Sequence, residues 1–149
     1  MIYVAIATTG LDPAVDHVIE IAACAGDPPR TGTSGVAQWP RGIIARGEHV
    51  ASRLLDECVR SSMSSADLLY RFAEWYHAQG DQPWVGWNAP FIRAFVPCLP
   101  TFTIDLATLR LAREAAGLPA CPITGAPRCE AKALAAIGAL RWHLSRIIP

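Results

Sequence analysis

Ile2 to Ile6 is a short run of β-favouring apolar residues that Thr8-Thr9-Gly10 interrupts and Asp12-Pro13 turns aside, the pattern of a strand entering a polar loop. Val18 to Cys24 predicts the next strand, apolar at every position except Glu20. Gly26 to Gly35, rich in Gly, Pro, Thr and Ser, reads as a loop, and a weak strand is expected somewhere in Val36 to Ala45. Val50, Leu54 and Cys58 then recur at helical spacing. After the Ser61 to Ser65 break, Leu68, Leu69, Phe72, Trp75 and Tyr76 predict another helix, capped by Ser64 or Ser65 and ended by Gly80. Pro83 to Trp87 is a short apolar strand, followed by Pro90 in the first turn of a helix that Pro97 stops. Thr101 to Ile104 reads as a strand, Asp105 as the cap of a helix Leu106 to Ala116, and Gly117 and Pro119 as its end. A last helix runs from about Cys129 to Leu140 or beyond, with no internal repeat anywhere.

Early strands are close enough in sequence to form an antiparallel meander, and the later ones are separated by helices and so expected to be parallel. The fold class is therefore α/β, a mixed sheet of about five strands flanked by helices. With 149 residues, 52% of them hydrophobic, the chain suits one domain with a real core, 1–149.

Thirteen basic residues balance thirteen acidic ones, so no global field draws the chain onto nucleic acid or an anionic membrane, and any such binding needs a local patch. Lys132 is the only lysine; the other basic residues are Arg, which codon usage in a GC-rich genome explains and which also supplies forked donors for phosphates or carboxylates. Cys24, Cys58, Cys98, Cys121 and Cys129 are odd in number and contain no C-x-x-C pair, so they read as reduced thiols rather than a disulfide framework. A zinc set of Cys121, Cys129 and His143 follows no common spacing. No basic leader and no stretch of ~20 apolar residues is visible, so a cytoplasmic protein without membrane contact is expected.

Three strings, in order, resemble the DEDD family of 3′–5′ exonucleases, which includes the proofreading subunit of bacterial replicative polymerase. The family opening, a strand with D-x-E-T-T-G-L followed by I-I-E-I-A, is similar to Ala5-Ile6-Ala7-Thr8-Thr9-Gly10-Leu11 and Val18-Ile19-Glu20-Ile21-Ala22. The motif V-x-H-N-A-x-F-D resembles Val85-Gly86-Trp87-Asn88-Ala89-Pro90-Phe91-Ile92, and D-T-L-x-L-A-R resembles Asp105 to Arg113. The resemblance implies a ribonuclease H-like fold over most of the chain.

The same alignment places Ala5 and Ala7 where the family has its first Asp and Glu metal ligands, and Ile92 where it has the second-motif Asp. In the best register of the third motif, Arg128 takes the general-base His position and Ala133 that of the last Asp. Hydrolysis by such enzymes uses paired Mg²⁺ ions, hard cations that need several anionic ligands converging on one spot. Alanine and isoleucine supply none. Carboxylate-to-alanine exchange is also made deliberately to disable nucleases, but Ile92 and Arg128 are not exchanges chosen for that purpose, which favours natural loss. Relocated ligands would have to come from Asp12, Asp16, Glu20 or Asp105; Asp105 serves as a cap, Asp12 and Asp16 lie in a polar turn, and Glu20 in its apolar strand calls for a partner such as Arg.

What the resemblance leaves intact is a groove. Thr8, Thr9, Gly10, Leu11, Asn88 and Phe91 stand where the family holds terminal nucleotides, although turn, cap and core roles suit them equally. Trp87 replaces a common His and could stack on a base or be buried, and Arg128 is expected to stand in for the metals toward a phosphate or an acidic side chain. The expected function is a catalytically inactive exonuclease-like binding module with no cofactor. Its partner would be a protein, such as a polymerase, nuclease or defence component, or a single-stranded nucleic-acid end; a phage-encoded antagonist or scaffold is compatible. The balanced charge favours a protein. The alternative is an active, divergent 3′–5′ exonuclease with relocated ligands for Mg²⁺ or Mn²⁺.

Overall fold

The computed structural model describes residues 1–40, 52–123 and 128–146. β1 (Ile2–Thr8) is central, because its residues bury on both sides of the sheet. β2 (Val18–Ala25) pairs with it antiparallel and is buried along its whole length, and β3 (Thr31–Val36) pairs antiparallel with β2 at one edge. On the other side β4 (Trp84–Gly86) and β5 (Thr103–Asp105) add in parallel, giving the order β3-β2-β1-β4-β5. The expected mixed five-stranded sheet with an antiparallel meander is what the chain forms.

Alternation along β1 divides the core. Ile2, Val4 and Ile6 face α2 (Ser65–Ala78) and α3 (Ala89–Phe95), packing with Phe72, Tyr76, Ile92 and Phe95. Tyr3 and Ala5 face the other way, into a cluster formed with Leu106 of α4 (Leu106–Ala115) and Cys129, Ala133, Ala136 and Leu140 of α5 (Cys129–Leu144). The small side chains of α5 let it lie close on β1 and β2, which alanine favours because it adds little bulk and strong helix propensity. A third, smaller cluster joins Ile19 to Leu54 and Cys58 of α1 (Ser52–Arg60).

Ser64 caps α2 by accepting the Asp67 N–H, and Gly80 follows its end at φ 81°, a left-handed conformation natural to glycine. The sequence expectation fails at β3. The strand lies at Thr31–Val36, inside the stretch read as a loop, and the expected Val36–Ala45 strand is absent over 37–40 and lies otherwise outside the described residues. The physical reason is its edge position: Thr31-Gly32-Thr33-Ser34-Gly35 is largely exposed, so it carries no apolar pattern, and its extended shape comes from the β2 ladder. Val50 of the expected first helical set also lies outside the described residues. Among those described, no helix is long and apolar enough to cross a membrane.

Candidate functional site

The carboxyl end of β1 opens into a cleft. One cavity of about 280 Å³ is lined by Val4, Ala5 and Ile6, by Trp87 after β4, by Phe91 and Ile92 of α3, and by Lys132 of α5. A second, of about 440 Å³, continues past Ala7 and Thr8 to Leu11, Asp12 and Asp16. Ile6, Phe91 and Lys132 line both, so the two form one continuous cleft. Gly86 permits its closeness: a β-carbon there would sit 2.6 Å from Ile92 Cδ1.

The structure brings the ligand-equivalent positions together. Ala5 and Ala133 are buried in one apolar cluster, Ala7 packs against that cluster, and Ile92 joins Ala5 in the wall of the inner cavity. Ala5, Ile92 and Ala133 are each at most 4% exposed.

Charge is arranged differently from the expectation. Arg128 lines neither cavity. Its Nε donates to Glu20 Oε1 at 2.8 Å, and its two terminal nitrogens donate to the Glu57 carboxylate of α1 at 2.7 and 2.8 Å. Glu20 also accepts from the Cys129 backbone N–H, at 3.3 Å. The partner expected for Glu20 is thus Arg128 itself, and the acidic side chains Arg128 binds belong to this chain. Donating to Glu57 and then to Glu20 raises the Arg128 pKa, and accepting from Arg128 lowers that of Glu57. Among the described residues the cation that lines the cleft is Lys132, whose ammonium makes no hydrogen bond or ion pair with them. Sequence reasoning missed it as a site residue. The available signals were its place beside Ala133 and its being the chain's only lysine.

Thr9 is 1% exposed and serves the loop: its hydroxyl donates to Asp16 Oδ1 and accepts the His17 N–H, while Thr8 donates to the Gly10 carbonyl. Asp16 also accepts the Asp12 N–H and Asp12 accepts the Ala14 N–H, so both acids hold this turn together. Leu11, 76% exposed, stands at the cleft mouth. Phe91 lines both cavities, and Trp87 lines the inner one with its Nε1–H buried and unpartnered among the described residues.

Asn88 occupies the position before α3 with φ 58° and makes no capping bond with its side chain. Asp105 serves instead. Opposite Gly86 in the parallel β4–β5 ladder, it accepts the Ala89 N–H at 3.0 Å while also capping α4 through Ala107, Thr108 and the Thr108 hydroxyl. Burial would raise the Asp105 pKa, but these donors outweigh it and lower it. The cysteines are free; burial raises Cys58 to about 11 and raises Cys129 as well, so neither is an activated nucleophile. Among the described residues no group of three or more His, Cys, Asp or Glu is placed to hold a metal ion, Cys121, Cys129 and His143 included.

The arrangement of strands and helices around this cleft has counterparts among solved structures. An Exonuclease I from Methylocaldum szegediense superposes with a TM-score of 0.68 at 16% identity, covering 97% of this chain and 40% of that one. Exonuclease X in complex with 5′ overhanging duplex DNA superposes with a TM-score of 0.59 at 15% identity, covering 97% of this chain and 91% of that one. The chain shares the ribonuclease H-like α/β fold of these two exonucleases. No protein-family model matches the sequence, and no curated protein matches it significantly. On this exonuclease fold the end of the central strand carries Ala5 and Ala7, beside Lys132 and the Glu20–Arg128–Glu57 cluster.

Proposed function

We propose that this chain is an exonuclease-like domain that has lost hydrolysis and acts as a binding module, taking a protein partner or a single-stranded nucleic-acid end into the cleft at the end of β1. The observation that carries this reading is that Ala5, Ala7 and Ile92 line that cleft, with Ala133 buried in one apolar cluster with Ala5 and with Lys132 as a neighbouring cation. Two-metal hydrolysis needs anionic ligands to hold the ions and to make water a nucleophile. A lysine ~4 Å from a divalent ion would instead oppose it by about 8 kcal/mol at an effective dielectric constant of ~20.

The acids nearest the cleft have other work. Glu20 is neutralised by Arg128, Asp12 and Asp16 hold the loop after β1, and Asp105 caps two helices. Relocated catalysis would have to dismantle one of these arrangements. A cytoplasmic location belongs to the same proposal.

The test is digestion of a 5′-labelled single-stranded oligonucleotide with Mg²⁺ or Mn²⁺. Full-length substrate should persist, and metal-dependent trimming from the 3′ end would overturn the reading.

A further inference from the structure

A further cavity, of about 410 Å³, runs between β3 and the first turns of α5 and shares no lining residue with the cleft. Its origin is the placement of α5, which packs on β1 and β2 rather than on β3, while α2 packs on the opposite side of β3. Positions 32 and 34 stand across the ladder from Cys24 and Ala22, whose side chains belong to the α5 cluster. Gly32 and Ser34 therefore face α5 and, with Ala22 and Ala133, floor the groove with small residues. Leu134 of α5, 48% exposed, stands at its rim.

The groove carries opposite charges at its two ends. Arg30 precedes Thr31, which pairs with Ala25, whereas Glu130 follows Cys129, whose N–H bonds to Glu20, the residue opposite Val36. Arg30 thus marks the start of β3 and Glu130 its end, and both line the groove. Both are exposed, and neither forms an ion pair among the described residues. A surface whose two ends attract each other is complementary to a copy of itself. A two-fold axis perpendicular to β3 reverses the direction of the groove, so that each Arg30 meets Glu130 of the other copy and each Leu134 meets a floor of small residues. A partner segment carrying a single charge would satisfy one end and leave the other unpaired. We infer that the β3–α5 groove is a self-association surface, through which two copies of this chain form a two-fold dimer joined by reciprocal Arg30–Glu130 pairs on either side of Leu134. The cleft at the end of β1 contributes no residue to this surface, so association is independent of what the cleft binds.

The test is sedimentation equilibrium of the full chain over a range of concentrations up to about 1 mM, where the mass should rise to that of two chains. Arg30→Glu and Glu130→Arg each place like charges together at both ends of the dimer, so each should raise its dissociation constant at least tenfold while circular dichroism is unchanged. The combined Arg30→Glu, Glu130→Arg protein should recover the original constant to within a few-fold, a rescue that damage to the fold would not produce. Leu134→Gln should weaken association without that rescue. A monomer at every concentration, or a dimer that the single charge reversals leave intact, would overturn the inference. So would failure of the combined exchange to restore association, because the two charges would then not face each other.

Discussion

Ala7 stands directly across the β1–β2 ladder from Glu20. Residues paired this way project to the same side of the sheet, so Glu20 emerges beside the place where the exonuclease motif has its glutamate ligand. A guanidinium is its counter-charge there: Arg128 meets it at 2.8 Å and reaches on to Glu57, fastening β2, α1 and α5 together.

Removing that counter-charge should be costly. Glu20 is 4% exposed, and a buried carboxylate stripped of its partner typically destabilises by about 3–5 kcal/mol, so Arg128→Ala should lose stability on that scale in urea unfolding. Glu57 is half-exposed and its ion pair is screened by solvent, so Glu57→Gln should lose much less than Arg128→Ala. Equal losses from the two variants would show that Glu20 does not depend on Arg128.

Restoring the motif should not by itself restore metal binding. The combined variant Ala5→Asp, Ala7→Glu, Ile92→Asp, Arg128→His and Ala133→Asp retains Lys132 in the cleft. Calorimetry should detect Mg²⁺ binding only when Lys132→Ala is added, provided circular dichroism shows both variants folded. Equal Mg²⁺ affinity with and without the lysine would remove its opposing role.

Acid should destabilise the fold through His143. Its side chain is 1% exposed, its Nε2 has no partner among the described residues, and burial first, then the Arg113 charge, lowers its pKa. A histidine with a folded pKa below its unfolded value near ~6.5 contributes stability that is fully present above ~6.5 and is lost as pH falls toward the folded pKa. Urea midpoints should therefore begin to drop as the pH falls below about 6.5, above the range where the lowered carboxylates Glu57 and Asp105 titrate. Replacing His143 with Gln should flatten the dependence in that window.

Asp105 joins the starts of two helices, so its loss should exceed that of an ordinary cap. Capping substitutions cost about 1 kcal/mol, and Asp105→Ala, which strands the N–H groups of Ala89 and Ala107 together, should cost about 2 kcal/mol or more.

The contrast between Asp105 and Asn88 shows where sequence reading reaches its limit. Asp105 before an amphipathic run announces a cap for α4 because that bond is local. Its second bond, to Ala89, depends on the parallel register of β5 against β4, which brings together residues distant in the chain. Asn88 looked like a cap by composition, but its left-handed backbone leaves the role to Asp105.

By itself, the sequence determined what depends on composition and short-range periodicity: apolar β1 and β2, capped α2 and α4, and the α/β class. Only the tertiary structure decided that β3 is a strand, because an exposed edge acquires its extended form from the neighbouring ladder rather than from its own residues. It also decided which cation faces the cleft. Arg128 and Lys132 lie one helical turn apart in sequence, yet one is drawn to Glu20 and Glu57 and the other lines the hollow beside Ala5, because partners from separate elements set the direction of each side chain.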